Sequence, residues 1–378
     1  MTTHTEHPSR RSWLQSAAGA TSAAIALAAG HSQATASWTL PQVNATESSR
    51  KRRIKIGQIG TLHAHASKLS VYRSSPDYEV VGIVEPDAEA RRRVEKDPTY
   101  QGLKWMTVDE LTSVDGLEAV LVETHVRDLL ANAEKCVSAG KHVHIDKPAG
   151  NSLPHFRRVL DTAAERKLMV QVGYMYRYNP GILLLHRLLK AGVLGEIFEV
   201  HTVMSKTLPA ADRSELAEFP GGMMFELGCH ILDLVVKVLG KPQSVHSYST
   251  HTSPIDDGLK DNMLAVLKYP RAVATVKTSC IEIDGGERRH FTLCGTKGTL
   301  HIQPLDNPSA RLTLDTPFEE FRKGYQDVPL DKPKKFTRYV GDAADMAAVI
   351  RGEKANDYGY EHEFLVQETL FQACGVSS

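Results

Sequence analysis

The sequence predicts an α/β fold: an N-terminal doubly wound parallel sheet followed by an α+β domain with a largely antiparallel open sheet. Three observations predict it. Residues 54–174 alternate short apolar strands with helical stretches, the pattern of a parallel sheet covered on both faces. After Pro180 strand-like runs follow one another with few helices between them, which favours antiparallel pairing. The roughly 325 residues left after the N-terminal segment suit two domains rather than one.

In chain order, the first 36 residues read as an export signal. Arg10-Arg11 leads into an alanine-rich apolar run from about Ala17 to Ala29, and Ala34-Thr35-Ala36 offers a small-residue cleavage site. That run is too short for a stable transmembrane helix. The twin arginines lead us to expect a periplasmic protein, folded before it crosses by the twin-arginine machinery, with no membrane segment in its mature form. Residues 37–53, with Pro41 and the basic cluster Arg50-Lys51-Arg52-Arg53, read as a linker. A formal net charge of zero gives no field to steer the protein toward nucleic acid or anionic membrane. The five cysteines are odd in number and scattered, so no disulfide framework is expected.

The first domain is expected over residues 54–175. Ile54–Ile59 is a short apolar strand, Thr61–Tyr72 reads as a helix and Tyr78–Glu85 as the second strand, with a charged helix from Asp87. Leu117–Glu123 is another strand. Leu129, Leu130, Ala133, Cys136 and Val137 share a helical face, and Gly140 supplies the stop. Strand Lys141–Ile145, helix Leu153–Arg166 and strand Leu168–Tyr174 complete the alternation. The second domain, 176–378, opens with helix Ile182–Lys190, strand Glu196–Ser205 and a helix over Met223–Leu239. Strands are expected at 243–250, 262–269, 272–281, 290–295, 299–303 and 310–315, and helices around 337–351 and 360–374.

Three segments carry candidate chemistry. The first βα turn, Gly60-Thr61-Leu62-His63-Ala64-His65, keeps only the first glycine of the G-x-G-x-x-G fingerprint by which a Rossmann domain approaches a pyrophosphate. Glu85 ends the next strand, where an acid suits the ribose hydroxyls of NAD and repels a 2′-phosphate. His63-Ala64-His65 has a second reading as a pair of zinc ligands of a barrel hydrolase, but the antiparallel second half argues against a barrel, and no metal is expected. Second, Gly140-Lys141-His142-Val143-His144-Ile145-Asp146-Lys147-Pro148 ends a strand in an acid, a lysine and a proline, at the sheet edge that faces the ligand crevice. Third, Glu226, His230 and Asp233 lie at i, i+4 and i+7 of one helix, a polar stripe in which a carboxylate could hold and strengthen an imidazole base.

These segments resemble the Gfo/Idh/MocA oxidoreductases. The strand end is similar to the family's GKHVxxEKP, with Asp146 for the family's glutamate. Residues Gly221 to Asp233 are similar to GGG-x-x-x-D-x-G-x-H-x-x-D, with Glu226 for aspartate. Gly173 to Pro180 and Glu361 to Glu368 also follow the family. The resemblance implies a hydride transfer between a nicotinamide cofactor, NAD before NADP, and a sugar, polyol or related hydroxy compound. It implies Lys147, His230 and Glu226 as catalytic residues, and Gly60, Thr61, Leu62, Glu85, Thr124, Asp146 and Lys147 around the cofactor. Tyr176, Arg177 and His230 would then meet the substrate, and the open sheet would form homo-oligomers. Leu62 and the segment Thr124-His125-Val126-Arg127-Asp128-Leu129, which keeps only the threonine where the family often has T-P-N-x-x-H, depart from the pattern. An NAD-dependent glycosidase on the same fold and a non-catalytic periplasmic sugar-binding protein stand as alternatives.

Overall fold

The computed structural model describes residues 51–330 and 338–376. The proposed signal segment and nearly all of the linker lie outside the described residues.

Six parallel strands form the first sheet: β1 (Ile54–Ile59), β2 (Tyr78–Val84), β3 (Trp105–Met106), β4 (Leu117–Val122), β5 (His142–Ile145) and β6 (Val170–Val172). Their order is β3-β2-β1-β4-β5-β6, the dinucleotide-binding arrangement, whose crevice opens at the C-terminal strand ends where the order reverses between β1 and β4. Both faces are covered, which is why β4 reads as a nearly continuous apolar run. Val120 and Val122 pack beneath helices α4 (Val126–Ser138) and α5 (Leu153–Glu165), while Ala119 and Leu121 face the opposite core.

Local chemistry sets the helix ends. Asp87 caps α2 (Ala88–Val94) by accepting from the amides of Glu89 and Ala90, and Ser152 caps α5, which has Pro154 in its first turn. Thr107 and Glu110 form a capping box on α3 (Val108–Thr112). Gly140, with φ of 74°, follows α4 in the left-handed conformation.

One expected helix is different. Thr61–His65 is a loop, a 3-10 turn spans Ala66–Lys68, and α1 is only Leu69–Ser74. Tertiary bonds hold the loop open. The His63 amide donates to the Glu123 carbonyl, and the Thr61 amide donates to Glu85 at 2.8 Å.

The second sheet has eight strands: β7 (Ile197–Ser205), β8 (Ser244–Thr250), β9 (Asn262–Lys268), β10 (Val273–Ser279), β11 (His290–Gly295), β12 (Gly298–Ile302), β13 (Ala310–Leu314) and β14 (Gly324–Val328). All its pairs are antiparallel except β7 with β10. β3 and β14 were not expected: Trp105–Met106 is two residues long, and Gly-Tyr-Gln-Asp-Val lacks an apolar alternation. One face is buried under α8 (Cys229–Leu239) and α10 (Tyr360–Ala373). The other carries Tyr248, Leu264, Val266, Val273 and Tyr325, and Tyr248 and Tyr325 are about 60% exposed.

The chain also returns to its first sheet. In α9 (Val340–Ile350), Ala343, Met346 and Ala347 pack with Ile54, Tyr72 and Leu121, and the Tyr78 hydroxyl donates to the Ala343 carbonyl. Helices α6 (Pro180–Lys190) and α7 (Arg213–Ala217) complete the inventory.

Candidate active site

The crevice is framed by the ends of β1, β2, β4 and β5. At the end of β1, Gly60 has φ of +93°, and a Cβ built there would lie 2.7 Å from the Glu123 backbone. Only glycine fits that turn. Glu85, just past β2, accepts from the Thr61 amide and hydroxyl at 2.8 and 2.6 Å through one oxygen and from the Asp87 amide at 3.0 Å through the other. It therefore stands where expected and also fastens the loop, with lone pairs left for a ribose. Thr124 is buried at the end of β4, its hydroxyl donating to the His125 carbonyl. Thr61 and Leu62 are partly exposed at the crevice mouth.

At the end of β5, Asp146 is fully buried and does not face a cofactor as expected. It accepts from the Lys147 amide at 2.6 Å, from His65 Nδ1 at 3.1 Å and from Lys68 Nζ at 2.5 Å, and His63 Nδ1 lies 3.3 Å from it. Three donors thus converge on one carboxylate, which anchors the loop, while His63 Nδ1 accepts from the His65 amide at 3.3 Å. Burial alone would raise the Asp146 carboxyl, but His63, Lys68 and His65 hold it well below the usual range. Burial drives His63 down to about 4 against the pull of Asp146, so its ring is neutral near pH 7.

Behind Asp146 lie four further buried polar residues, Lys68, Glu123, His144 and Gln171. Lys68 contacts Glu123 at 3.1 Å and His144 Nε2 at 3.0 Å, and His144 Nδ1 is 2.8 Å from Gln171. Burial and the neighbouring Asp146 push the Glu123 carboxyl well above its ordinary value, so it favours its protonated form. A polar residue in the middle of the apolar run of β5 was the one available signal for His144.

Lys147 lies just past the end of β5, and its partner differs from the one expected. Lys147 Nζ donates to the Glu226 carboxylate and to the Glu226 carbonyl, both at 2.9 Å. Burial alone would lower the lysine, yet Glu226 in first place holds it above its ordinary value. Burial would likewise raise Glu226, and Lys147 holds it down. The expected Glu226–His230 pair is therefore replaced by a Glu226–Lys147 pair. The cause is local: Met224–Gly228 is a π-turn, not α-helix, and only from Cys229 onward is the helix regular. Its Gly221-Gly222 start also has positive φ at both residues.

His230 is buried, with Nδ1 free of any hydrogen-bond partner among the described residues. Its ring stands edge-on to Tyr176 at 5.2 Å and to Tyr174 at 6.1 Å. Burial, then the Lys147 and His65 charges, hold it far below its ordinary value, so the imidazole is neutral. Tyr176 lines this pocket with its ring, while its hydroxyl donates to Asp306 at 2.5 Å.

Arg177 is no substrate contact. It is fully buried and donates to Asp233 and Glu363, with bonds of 2.7 to 3.2 Å. Asp233 also accepts from His362 at 2.9 Å. The third member of the helix stripe is thus structural, as is the arginine of the Tyr-Arg-Tyr-Asn-Pro segment.

Comparison with known proteins places this geometry. Residues 54–174 match the model of the oxidoreductase family NAD-binding Rossmann fold, and residues 182–301 match the GFO/IDH/MocA C-terminal domain. The chain belongs to the Gfo/Idh/MocA family. It is 25% identical over 279 residues to the oxidoreductase YhhX of Escherichia coli, covering 72% of this chain and 77% of that protein. It is 24% identical over 256 residues to inositol 2-dehydrogenase of Rhizobium meliloti, covering 65% and 72%. Among solved structures, UDP-N-acetylglucosamine 3-dehydrogenase of Acidithiobacillus ferrooxidans superposes with a TM-score of 0.70 at 18% identity, over 85% of this chain and 97% of that one. That likeness is one of fold. The protein is an NAD(P)-dependent oxidoreductase of this family, and its residues fit the cofactor. The Gly60 turn admits no side chain, Glu85 at the end of β2 keeps lone pairs that could meet a ribose, and the Lys147 charge acts on His230, whose Nδ1 has no hydrogen-bond partner among the described residues.

Proposed function

We propose that the protein is an exported, periplasmic oxidoreductase that acts on a carbinol of a sugar, polyol or related hydroxy compound, with NAD preferred over NADP. Glu85 supports the NAD preference. The Gly60 turn, Glu85, Thr124 and Lys147 would hold the cofactor, which when bound supplies the hydride acceptor or donor. The observation that carries the reading is the Lys147–Glu226 pair beside an imidazole with a free nitrogen.

An ammonium has three N–H donors. Two go to Glu226, and the third is free to donate to the reacting oxygen and stabilise negative charge as it develops there. Glu226 fixes the direction of that donor and keeps Lys147 cationic. His230, neutral in the buried site, accepts the hydroxyl proton during oxidation and returns it during reduction. Tyr176 and Tyr174 hold its ring plane. Lys147→Ala and His230→Ala should each lower turnover at least about a hundredfold while leaving nicotinamide nucleotide bound. Near-normal turnover in either variant removes that residue from the chemistry.

Export leaves little free dinucleotide to exchange with, so the cofactor is carried tightly bound and regenerated by a second substrate, with ping-pong kinetics. The half-exposed apolar face of the second sheet, with Tyr248, Val273 and Tyr325, supports assembly into homo-oligomers. A second reading follows from His63, His65 and Asp146, whose ligand-type atoms lie within 4.8 Å of one another. Against a metal there, Lys68 already neutralises Asp146 at 2.5 Å. Elemental analysis of the purified protein decides between the two.

A further inference from the structure

We propose that the crevice contains an anion-recognising subsite formed by Lys206 with Arg289 beside it, and that the substrate is a hydroxy compound carrying a carboxylate, such as a uronate or an aldonate. This deepens the oxidoreductase reading above and rests on it.

Lys206 is the residue immediately after β7. Its amide donates to the Ser279 carbonyl at 3.0 Å, which pins its backbone at the end of the β7–β10 pair. The π-turn that bears Glu226 lies on the same two strands, with Gly228 packed against the Thr278 side chain and Thr278 paired with Met204. Arg289 reaches over from the other side: its Nε donates to the Ser205 carbonyl at 3.0 Å.

The charges around this point do not balance. Lys147 is paired with Glu226. Arg289 is paired with Asp306 at 2.7 Å, and Asp306 also serves Tyr176 and Arg338. Lys147, Lys206, Arg289 and Arg338 thus meet Glu226, Asp306 and, without a contact, Asp212, which leaves one cation over. Lys206 is half-buried and makes no side-chain hydrogen bond or ion pair among the described residues. Glu226 and Asp212 attract its charge without pairing with it, while Lys147 and Arg289 repel it. The two lysines drawn deeper into this crevice are compensated: Lys68 by Asp146, Lys147 by Glu226.

Partial burial of an uncompensated ammonium is unfavourable unless a ligand group pairs with it. A neutral polyol cannot supply that charge. One unpaired cation, with spare guanidinium donors next to it, matches a monoanionic carboxylate, whereas a phosphate dianion would call for a second free cation.

The test is calorimetric titration of the protein as purified, with its cofactor, using D-glucuronate, D-gluconate, D-glucose and D-glucose 6-phosphate as probes. A carboxylate sugar should bind at least about tenfold more tightly than glucose. Lys206→Met should weaken the carboxylates about ten- to a hundredfold, so that the preference collapses, and Lys206→Arg should retain most of it. Lys206→Met should also melt no lower than the parent protein without ligand, since it removes an unpaired charge, which separates loss of binding from loss of fold. Failure of both carboxylates to bind, equal affinity for glucose and glucuronate, or an undiminished preference in Lys206→Met overturns the proposal. So does tighter binding of glucose 6-phosphate than of either carboxylate. Because the readout is binding and needs no turnover, these failures are distinct from failure of the oxidoreductase reading, which is read from nucleotide released on denaturation.

Discussion

Asp233→Asn separates the structural reading of the α8 stripe from the catalytic one. Asp233 and Glu363 share the buried Arg177 guanidinium, and all three side chains are at most 1% exposed, so solvent does not screen them. Burial would raise the Asp233 carboxyl from its ordinary 3.8, yet Arg177 and His362 bring it to about 2. That shift corresponds to roughly 2.5 kcal/mol of stability at neutral pH. Breaking a buried ion pair from one side costs about 3–5 kcal/mol. Glu363 still compensates the arginine in the variant, so the loss should fall near the low end, about 3 kcal/mol, or roughly 4 °C in Tm for a chain of this size. The sign with pH follows from the depressed carboxyl. The stabilisation is present above the unfolded-state value and fades as pH falls toward about 2, so the parent and variant melting curves should converge in acid. Thermal melts across pH, paired with turnover at neutral pH, read both quantities. A variant that melts with the parent but turns over a hundredfold more slowly would refute this assignment and return Asp233 to the reacting centre.

Other expectations concern the crevice. Glu226→Gln keeps the shape of the Lys147 partner but removes its charge. Burial then acts unopposed by it on the lysine, and the alkaline limb of the pH–turnover profile should move to lower pH. An unmoved limb means that Lys147 does not titrate in that profile. Gly60→Ala should abolish retention of nicotinamide nucleotide, because its Cβ would meet the Glu123 backbone at 2.7 Å in a positive-φ turn; normal nucleotide content would show that the turn is not the cofactor cradle. His63, held at about 4 mainly by burial, should contribute roughly 3 kcal/mol that is present above pH 6.5 and lost as pH falls toward 4. His63→Asn should flatten that part of the stability curve, measured by urea denaturation.

The strands of the first sheet were legible because each is a short apolar run closed by a turn signal, and β1, β4 and β5 end within a residue or two of the expected positions. Lys147 was legible for the same reason: the end of a parallel strand has only one place to point. The loop after Gly60 was not, because the groups that hold it, Glu85, Glu123 and Asp146, come from three later strand ends. Helical spacing put Glu226 over His230, but a π-turn has no signature in that spacing, and the lysine that claims the carboxylate lies 79 residues away. Arg177 illustrates a different limit. In sequence, an arginine beside tyrosines suits a binding surface, and only the packing of α8 and α10 around it reveals two acids that neutralise it inside the core.

The central claim is that Lys147 and His230 serve a nicotinamide bound in this crevice. Native mass spectrometry of the purified protein, followed by denaturation and identification of what is released, tests it most directly. The prediction is one NAD or NADP per chain, released on unfolding. A protein that releases no nicotinamide nucleotide, or that carries a divalent metal in its place, would contradict it.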